Sequence, residues 1–205
     1  MARRPARASS HAVCGVSALV KGGSTPFESG AELAAHTILS ADIETTDMGA
    51  QLGPYFYFDG LGNRRKHYFD AETIGPNGEW CLYAVKSRLS SKYAVTVEIL
   101  KRLHEDDERL AEATLHIVDE DCRKVWQVQR ARLVLTARQF VDDDAEAAVL
   151  ACLASEDREF TVAEVDERTA LDHRTLYAVA RLYWKRRVTV RDGLFLDYAA
   201  HIRAA

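Results

Sequence analysis

Arg64-Arg65-Lys66-His67-Tyr68-Phe69-Asp70-Ala71-Glu72, then Gly75-Pro76-Asn77-Gly78, then Glu79-Trp80-Cys81-Leu82-Tyr83-Ala84-Val85-Lys86, is the stretch whose reading decides the fold. Two alternating apolar runs flank residues that supply turn geometry, so the stretch reads as a β-hairpin. The first strand carries an acid, Asp70, and the second a lysine, Lys86, sixteen positions on. A metal-dependent nuclease sets a metal ligand beside a cation in this way, and an ordinary surface hairpin can share the spacing. Strand alternation puts Asp70 and Glu72 on one face, and Leu82, Ala84 and Lys86 on one face of the neighbouring strand. Glu72 is therefore a candidate extra carboxylate.

Upstream, Tyr55-Phe56-Tyr57-Phe58 is strongly β-prone and Asp59-Gly60-Leu61-Gly62-Asn63 is a turn, which extends the hairpin to a three-strand meander. Residues 40–50 read as a polar connection holding one short extended piece. Phe27 to Leu39 has helical spacing, with Ser29 as N-cap and Glu32 three residues later, the pattern of a capping box. Residues 1–26, basic at first and then Gly- and Ser-rich, read as a flexible arm; Val13 to Val20 is too short and Gly-broken for an export signal. Downstream, Tyr93 to about Leu110 is an amphipathic helix. Ala113 to Val118 is a strand running parallel to the Lys86 strand because a helix crosses between them. Val125 to Phe140 is expected to be helical.

From about Asp142 the character changes. Ala145 to Ala154 reads as a helix, Thr161 with Glu164 opens a second at capping-box spacing, and Asp172-His173-Arg174 opens a third. Val188 to Leu196 reads as two short β segments around Asp192-Gly193. Three helices and a hairpin make a winged-helix-like unit whose third helix is the expected recognition helix. Such modules bind DNA or dock proteins. His173, Arg174 and Arg181 are the candidate DNA contacts, while the acidic run Asp142-Asp143-Asp144 opposes unspecific binding. Lys185-Arg186-Arg187 is accounted for by a helix C-terminus, which favours cations. The expected domains are thus an arm over 1–26, an α/β domain over 27–140 and a winged-helix-like α+β domain over 141–205.

Over 205 residues, a hydrophobic content of 47% and a charged content of 28% are globular averages. No apolar run reaches the length of a spanning helix. The four cysteines, Cys14, Cys81, Cys122 and Cys152, form no CxxC pair, so reduced thiols in a cytoplasmic protein are expected. A net charge of −4 excludes nucleic-acid binding by bulk charge and leaves it to local patches, foremost Arg64-Arg65-Lys66. His67 and His116 have no partner at ligand spacing. GxSxG, GxGxxG and GxxxxGK motifs are lacking, so serine hydrolysis and nucleotide cofactors have no support.

In metal-assisted phosphodiester hydrolysis, carboxylates hold divalent ions that activate water, while a lysine stabilises or orients the attacking group. Glu32, Asp70 and Lys86 suit those roles. With Phe27-Glu28-Ser29-Gly30-Ala31-Glu32, Gln51-Leu52-Gly53-Pro54, the aromatic strand, Arg-Arg-Lys-His-Tyr-Phe-Asp70 and Tyr-Ala-Val-Lys86 in this order, the chain resembles the TnsA-like endonucleases of the PD-(D/E)xK superfamily over residues 12 to 140. The resemblance implies a restriction-endonuclease-like core with a mixed sheet. It also implies Mg²⁺ (or Mn²⁺) held by Glu32, Asp70 and the Val85 carbonyl, with Lys86 beside the attacked phosphate. Its substrate would be DNA at transposon ends, its partners a transposase subunit and an ATPase regulator. Two positions depart from the pattern: Phe69 stands where the family has Pro, and Ala84 where it has Glu or Gln. The second removes one ligand, for which the Val85 carbonyl, waters or a migrated Glu72 could compensate, and it keeps open the alternative of an inactive nuclease-fold adaptor that binds DNA or protein.

Overall fold

The computed structural model describes residues 15–19, 23–191 and 193–205. The chain divides into two units, one ending at Arg123 and the other running from Lys124 to Ala205, with Ala41–Ile43 joining the second.

The first unit opens with an antiparallel ribbon, β1 (Gly15–Leu19) and β2 (Gly23–Phe27). The flexible arm expected over 1–26 is thus paired strand in part of its second half, since ladder bonds need only backbone groups and a Gly- and Ser-rich sequence still offers them. Residues 1–14, including Cys14, and 20–22 lie outside the described residues. Helix α1 (Gly30–Ala41) starts at Ser29 as the capping pattern requires. The Glu32 N–H donates to Ser29 Oγ (3.2 Å), and the Glu32 carboxylate accepts from the Glu28 N–H (2.7 Å) and from Ser29 Oγ (3.0 Å).

Next come β3 (Asp47–Phe58), β4 (Arg64–Ile74), β5 (Trp80–Val85), α2 (Tyr93–Asp106), a single 3-10 turn and β6 (Ala113–Val118). They form a mixed sheet in the order β3-β4-β5-β6, antiparallel except for the last pair, which α2 connects. Strand β3 is longer than the Tyr55–Phe58 run, because its register shifts between Leu52 and Tyr55 and the ladder resumes on the other side. Gly53 makes the shift workable at φ +133°: a Cβ there would stand 2.8 Å from the His67 carbonyl oxygen.

Alternation along β5 sends its side chains to two cores. Leu82 and Ala84 pack with Phe69, Leu100, Leu103 and Leu110 on the α2 side. Tyr83 and Val85 pack with Ala31, Ala35 and Val118 on the α1 side. Leu82, Leu103 and Leu110 are fully buried, each contributing about 2 kcal/mol of transfer free energy. The antiparallel ladder between β4 and β5 ends at Ala71 opposite Tyr83, so beyond that point the two strands part.

The second unit holds α3 (Val125–Ala137), α4 (Asp143–Ala154), β7 (Phe160–Thr161), α5 (Val162–Thr169), α6 (Arg174–Trp184), β8 (Val188–Val190) and β9 (His201–Ala204). Its sheet order is β7-β9-β8, and Val149, Phe160, Val165, Val179, Leu182 and Ile202 form the core. The Thr161–Glu164 capping box is formed.

Two expectations are corrected here. The boundary drawn at 140 falls at 123/124, because α3 is bonded into the second unit. The Gln129 amide donates to the Leu196 carbonyl (2.8 Å) and accepts the Leu196 N–H (2.9 Å), and the buried Arg130 donates to the carbonyls of Leu194 and Arg191. The partner of β8 is β9 rather than Leu194–Leu196, which α3 holds as loop; Asp192 of the expected turn lies outside the described residues. Among the described residues the chain is α/β with six α-helices, and no helix is long and apolar enough to cross a membrane.

Candidate active site

Asp70 stands where β4 leaves β5. The Lys86 N–H donates to the Val118 carbonyl on β6 (3.1 Å), and in a parallel ladder alternate residues turn to the same neighbour. Val85 therefore turns its N–H and carbonyl toward β4, where the ladder has stopped. Asp70 Oδ2 takes that N–H at 2.6 Å, so a side chain replaces the missing strand partner. Burial pushes the Asp70 carboxyl up to about 6; the Val85 N–H and Lys86 lower it, while Glu32 and Glu28 raise it further. Its own backbone carbonyl lies 3.1 Å from Nε2 of His36, a buried ring on α1. Burial lowers the His36 pKa, against the Asp70 carbonyl and Glu32, which raise it.

Glu32 and Lys86 are thus each in electrostatic reach of Asp70. Glu32 is at the same time the capping residue of α1, with both carboxylate oxygens already accepting hydrogen bonds. Glu72 does not join them. Its Oε2 accepts from the Trp80 indole (3.0 Å) and its carboxyl covers Gly49, where a Cβ would stand 2.6 Å from Oε1.

Among the described residues no three His, Cys, Asp or Glu side chains form a ready metal-holding group. The oxygens available to a cation are those of Asp70, Glu32 and the Val85 carbonyl. They are hard donors of the kind Mg²⁺ and Mn²⁺ take, and Glu32 raises the proton affinity of Asp70, a repulsion that a cation relieves. In charge and donor chemistry the set suits such an ion; in ligand number it is one side chain short.

Beside Asp70 opens a cleft of about 460 Å³, lined by Lys66, His67, Tyr68, Ala84 and Lys86 of the sheet and by Lys92, Val95, Thr96 and Ile99 at the start of α2. Ala84, 2% exposed, forms part of its wall. Lys86 is half-buried. His67 is neither solvated nor satisfied in the core: Nε2 is buried with no hydrogen-bond partner among the described residues, and the ring meets Phe69 edge-on at 4.9 Å. Burial, then the charge of Lys86, lowers its pKa to about 4.

The other candidate cations have different fates. Arg64 lies over the Phe56 ring (3.8 Å), Arg65 pairs with Asp59 (2.8 Å), and Lys66 reaches the cleft past Tyr68. Arg181, expected at a DNA surface, is 3% exposed and corrected to a structural role. It binds Glu146 Oε1 (2.6 Å) and the carbonyls of Phe140 and Asp142. Arg174 is exposed but clamped on both oxygens of Asp142 at 2.8 Å. His173 is exposed at the start of α6 and caps nothing with its side chain. His116 stacks on Tyr83 at 5.2 Å.

His67 and Lys92 are the site members that sequence reasoning missed. For His67 the available signal was its position three residues before Asp70 on the same strand; for Lys92 there was none, because its arrival depends on how α2 crosses the sheet. Compared with known protein families and with curated proteins, the chain matches none.

Proposed function

We propose that the chain is a metal-dependent DNA endonuclease of the TnsA-like, PD-(D/E)xK kind, cutting phosphodiester bonds at transposon ends. The observation that carries the reading is the junction of Asp70, Val85 and Lys86 at the parting of β4 and β5, with the Glu32 carboxylate in electrostatic reach. Asp70 and Glu32 would hold the cation, and the Val85 N–H fixes one oxygen of the Asp70 carboxylate. Lys86 neutralises charge on the attacked phosphate and orients the nucleophile. A bound Mg²⁺ or Mn²⁺ supplies the activated water and the charge neutralisation of phosphodiester hydrolysis. The rim lysines Lys66 and Lys92 draw the DNA backbone to the cleft although the whole chain is acidic.

The second unit, with two helices, a strand, two helices and two strands in order, is read as winged-helix-like. Its role is docking of a partner protein rather than major-groove reading, since α6 is buried along its middle and its Arg181 is internal. From the resemblance, the partners are a transposase subunit and an ATPase regulator; the cysteines, which form no CxxC pair, point to the cytoplasm.

Ala84 favours one further reading, a nuclease-fold adaptor that binds DNA or protein without cutting it. Both are decided by incubating the chain and its transposase partner with end-bearing DNA and Mg²⁺ or Mn²⁺. Metal-dependent nicking that Asp70→Ala abolishes, with the fold intact by circular dichroism, is the expected result. Absence of nicking by the unaltered chain under both metals sinks the endonuclease reading and leaves the adaptor.

A further inference from the structure

The cleft holds more positive and polar character than one attacked phosphate needs. Lys86 stands next to Asp70. His67 lies three residues earlier on β4, about 10 Å along the strand, with Lys66 beside it, and Lys92 comes in from the opposite wall at the start of α2. That separation exceeds the reach of a single phosphate group, whereas neighbouring phosphates of one DNA strand are spaced to bridge it. Beside Lys92, α2 contributes Val95, Thr96 and Ile99 to this wall, and His67 Nε2 is buried without a hydrogen-bond partner among the described residues. An unpartnered polar atom in such surroundings is costly unless a ligand completes it.

We infer that His67 Nε2, Lys66 and Lys92 form a seat for a second backbone phosphate of the DNA, one removed from the phosphate that is cut. The inference rests on the endonuclease reading for its choice of ligand. In its Nε2–H tautomer the ring donates one hydrogen bond to a phosphate oxygen, and the two ammonium groups supply the charge. The charged groups around the ring are Lys66, Lys86 and Lys92 at the cleft and Asp70 along its own strand. Burial, then the charge of Lys86, keeps His67 neutral at pH 7. The division of labour follows: the lysines release counterions from DNA, and His67 adds affinity without doing so.

The test is binding of a 12-base-pair DNA duplex to the full chain in EDTA, followed by fluorescence anisotropy across a salt series. Lys66→Ala and Lys92→Ala should each reduce the slope of log K against log salt by about one. His67→Phe, which keeps the aromatic contact with Phe69, should weaken binding about tenfold with the slope unchanged, and His67→Gln should recover most of the loss. In the unaltered chain the ¹⁵N resonance of His67 Nε2 should move when the duplex is added. Unchanged slopes in both lysine variants, or a His67 resonance that ignores the duplex, overturns the seat, and these two readouts decide the matter even if His67→Phe fails to fold. The outcome is separate from that of the cleavage assay. Binding through these three residues without metal-dependent nicking removes the endonuclease reading and keeps the seat; nicking with unchanged slopes does the reverse.

Discussion

Asp70 combines two demands that pull against each other. It must be ionised to hold a cation, yet its place at the end of the β4–β5 ladder buries it and faces it with Glu32 and Glu28. A carboxyl held at about 6 in the fold and near 3.9 in the unfolded chain binds its proton more tightly when folded. The associated stability is therefore full below about pH 4 and is lost as pH rises through 6. Asp70→Asn, which keeps an acceptor for the Val85 N–H, should be more stable than the unaltered chain at pH 7.5 by up to ~3 kcal/mol. At pH 4 the two should be alike; urea unfolding at the two pH values measures the difference, and equal midpoints at pH 7.5 contradict it. Under the endonuclease reading the acid is kept for its ligand rather than for packing, and the fold bears the cost.

At the scale of elements, β5 and α6 carry the two clearest consequences. Ala84 and Asp70 line the same cleft, so Ala84→Glu would add a carboxylate there. Mn²⁺ binding by calorimetry should strengthen by about tenfold; no change would mean that the strand end does not shape a cation site. In α6, Arg181 shares the buried Glu146 with Lys185 and closes the carbonyls at the start of α4. Arg181→Ala should cost about 3–5 kcal/mol of unfolding free energy, and Arg174→Ala, which breaks only an exposed pair, less than ~1 kcal/mol. Similar losses in the two variants would count against the internal role of Arg181. These elements also mark what the sequence could and could not tell. Both capping boxes, the parallel β6 and the central hairpin were legible because each is written in local spacing. The burial of Arg181 was not, since its partner Glu146 lies 35 positions away and a basic residue on a third helix looks the same whether it faces DNA or a buried acid. Glu72 was misplaced because alternation gives a face but not a neighbour, and the Trp80 indole claimed it.

For the molecule as a whole, the division at 123/124 changes what counts as a separable part. The change of composition at Asp142 is real, but it marks the start of α4 rather than the start of the second unit. Helix α3 holds the loop of residues 194–196 through Gln129 and Arg130, bonds that no local pattern announces, since the partners are more than sixty positions apart. A fragment of residues 124–205 should unfold in one cooperative thermal transition. A fragment of residues 141–205, lacking those bonds, should melt at a markedly lower temperature or not cooperatively at all. Equal melting of the two by circular dichroism would show α3 to be dispensable.

The single hydrogen bond from Val85 to Asp70 also gives the site a gauge of its own. The donor is a backbone amide in the middle of a sheet, and its electronic surroundings change whenever the carboxylate gains a proton or a cation. The Val85 amide resonance should therefore titrate with a midpoint near 6, following Asp70 rather than any group of its own. It should move again on addition of Mg²⁺, before any DNA is present. The state of charge at the centre of the cleft can thus be watched from one atom of the main chain, in the unaltered protein and without a label.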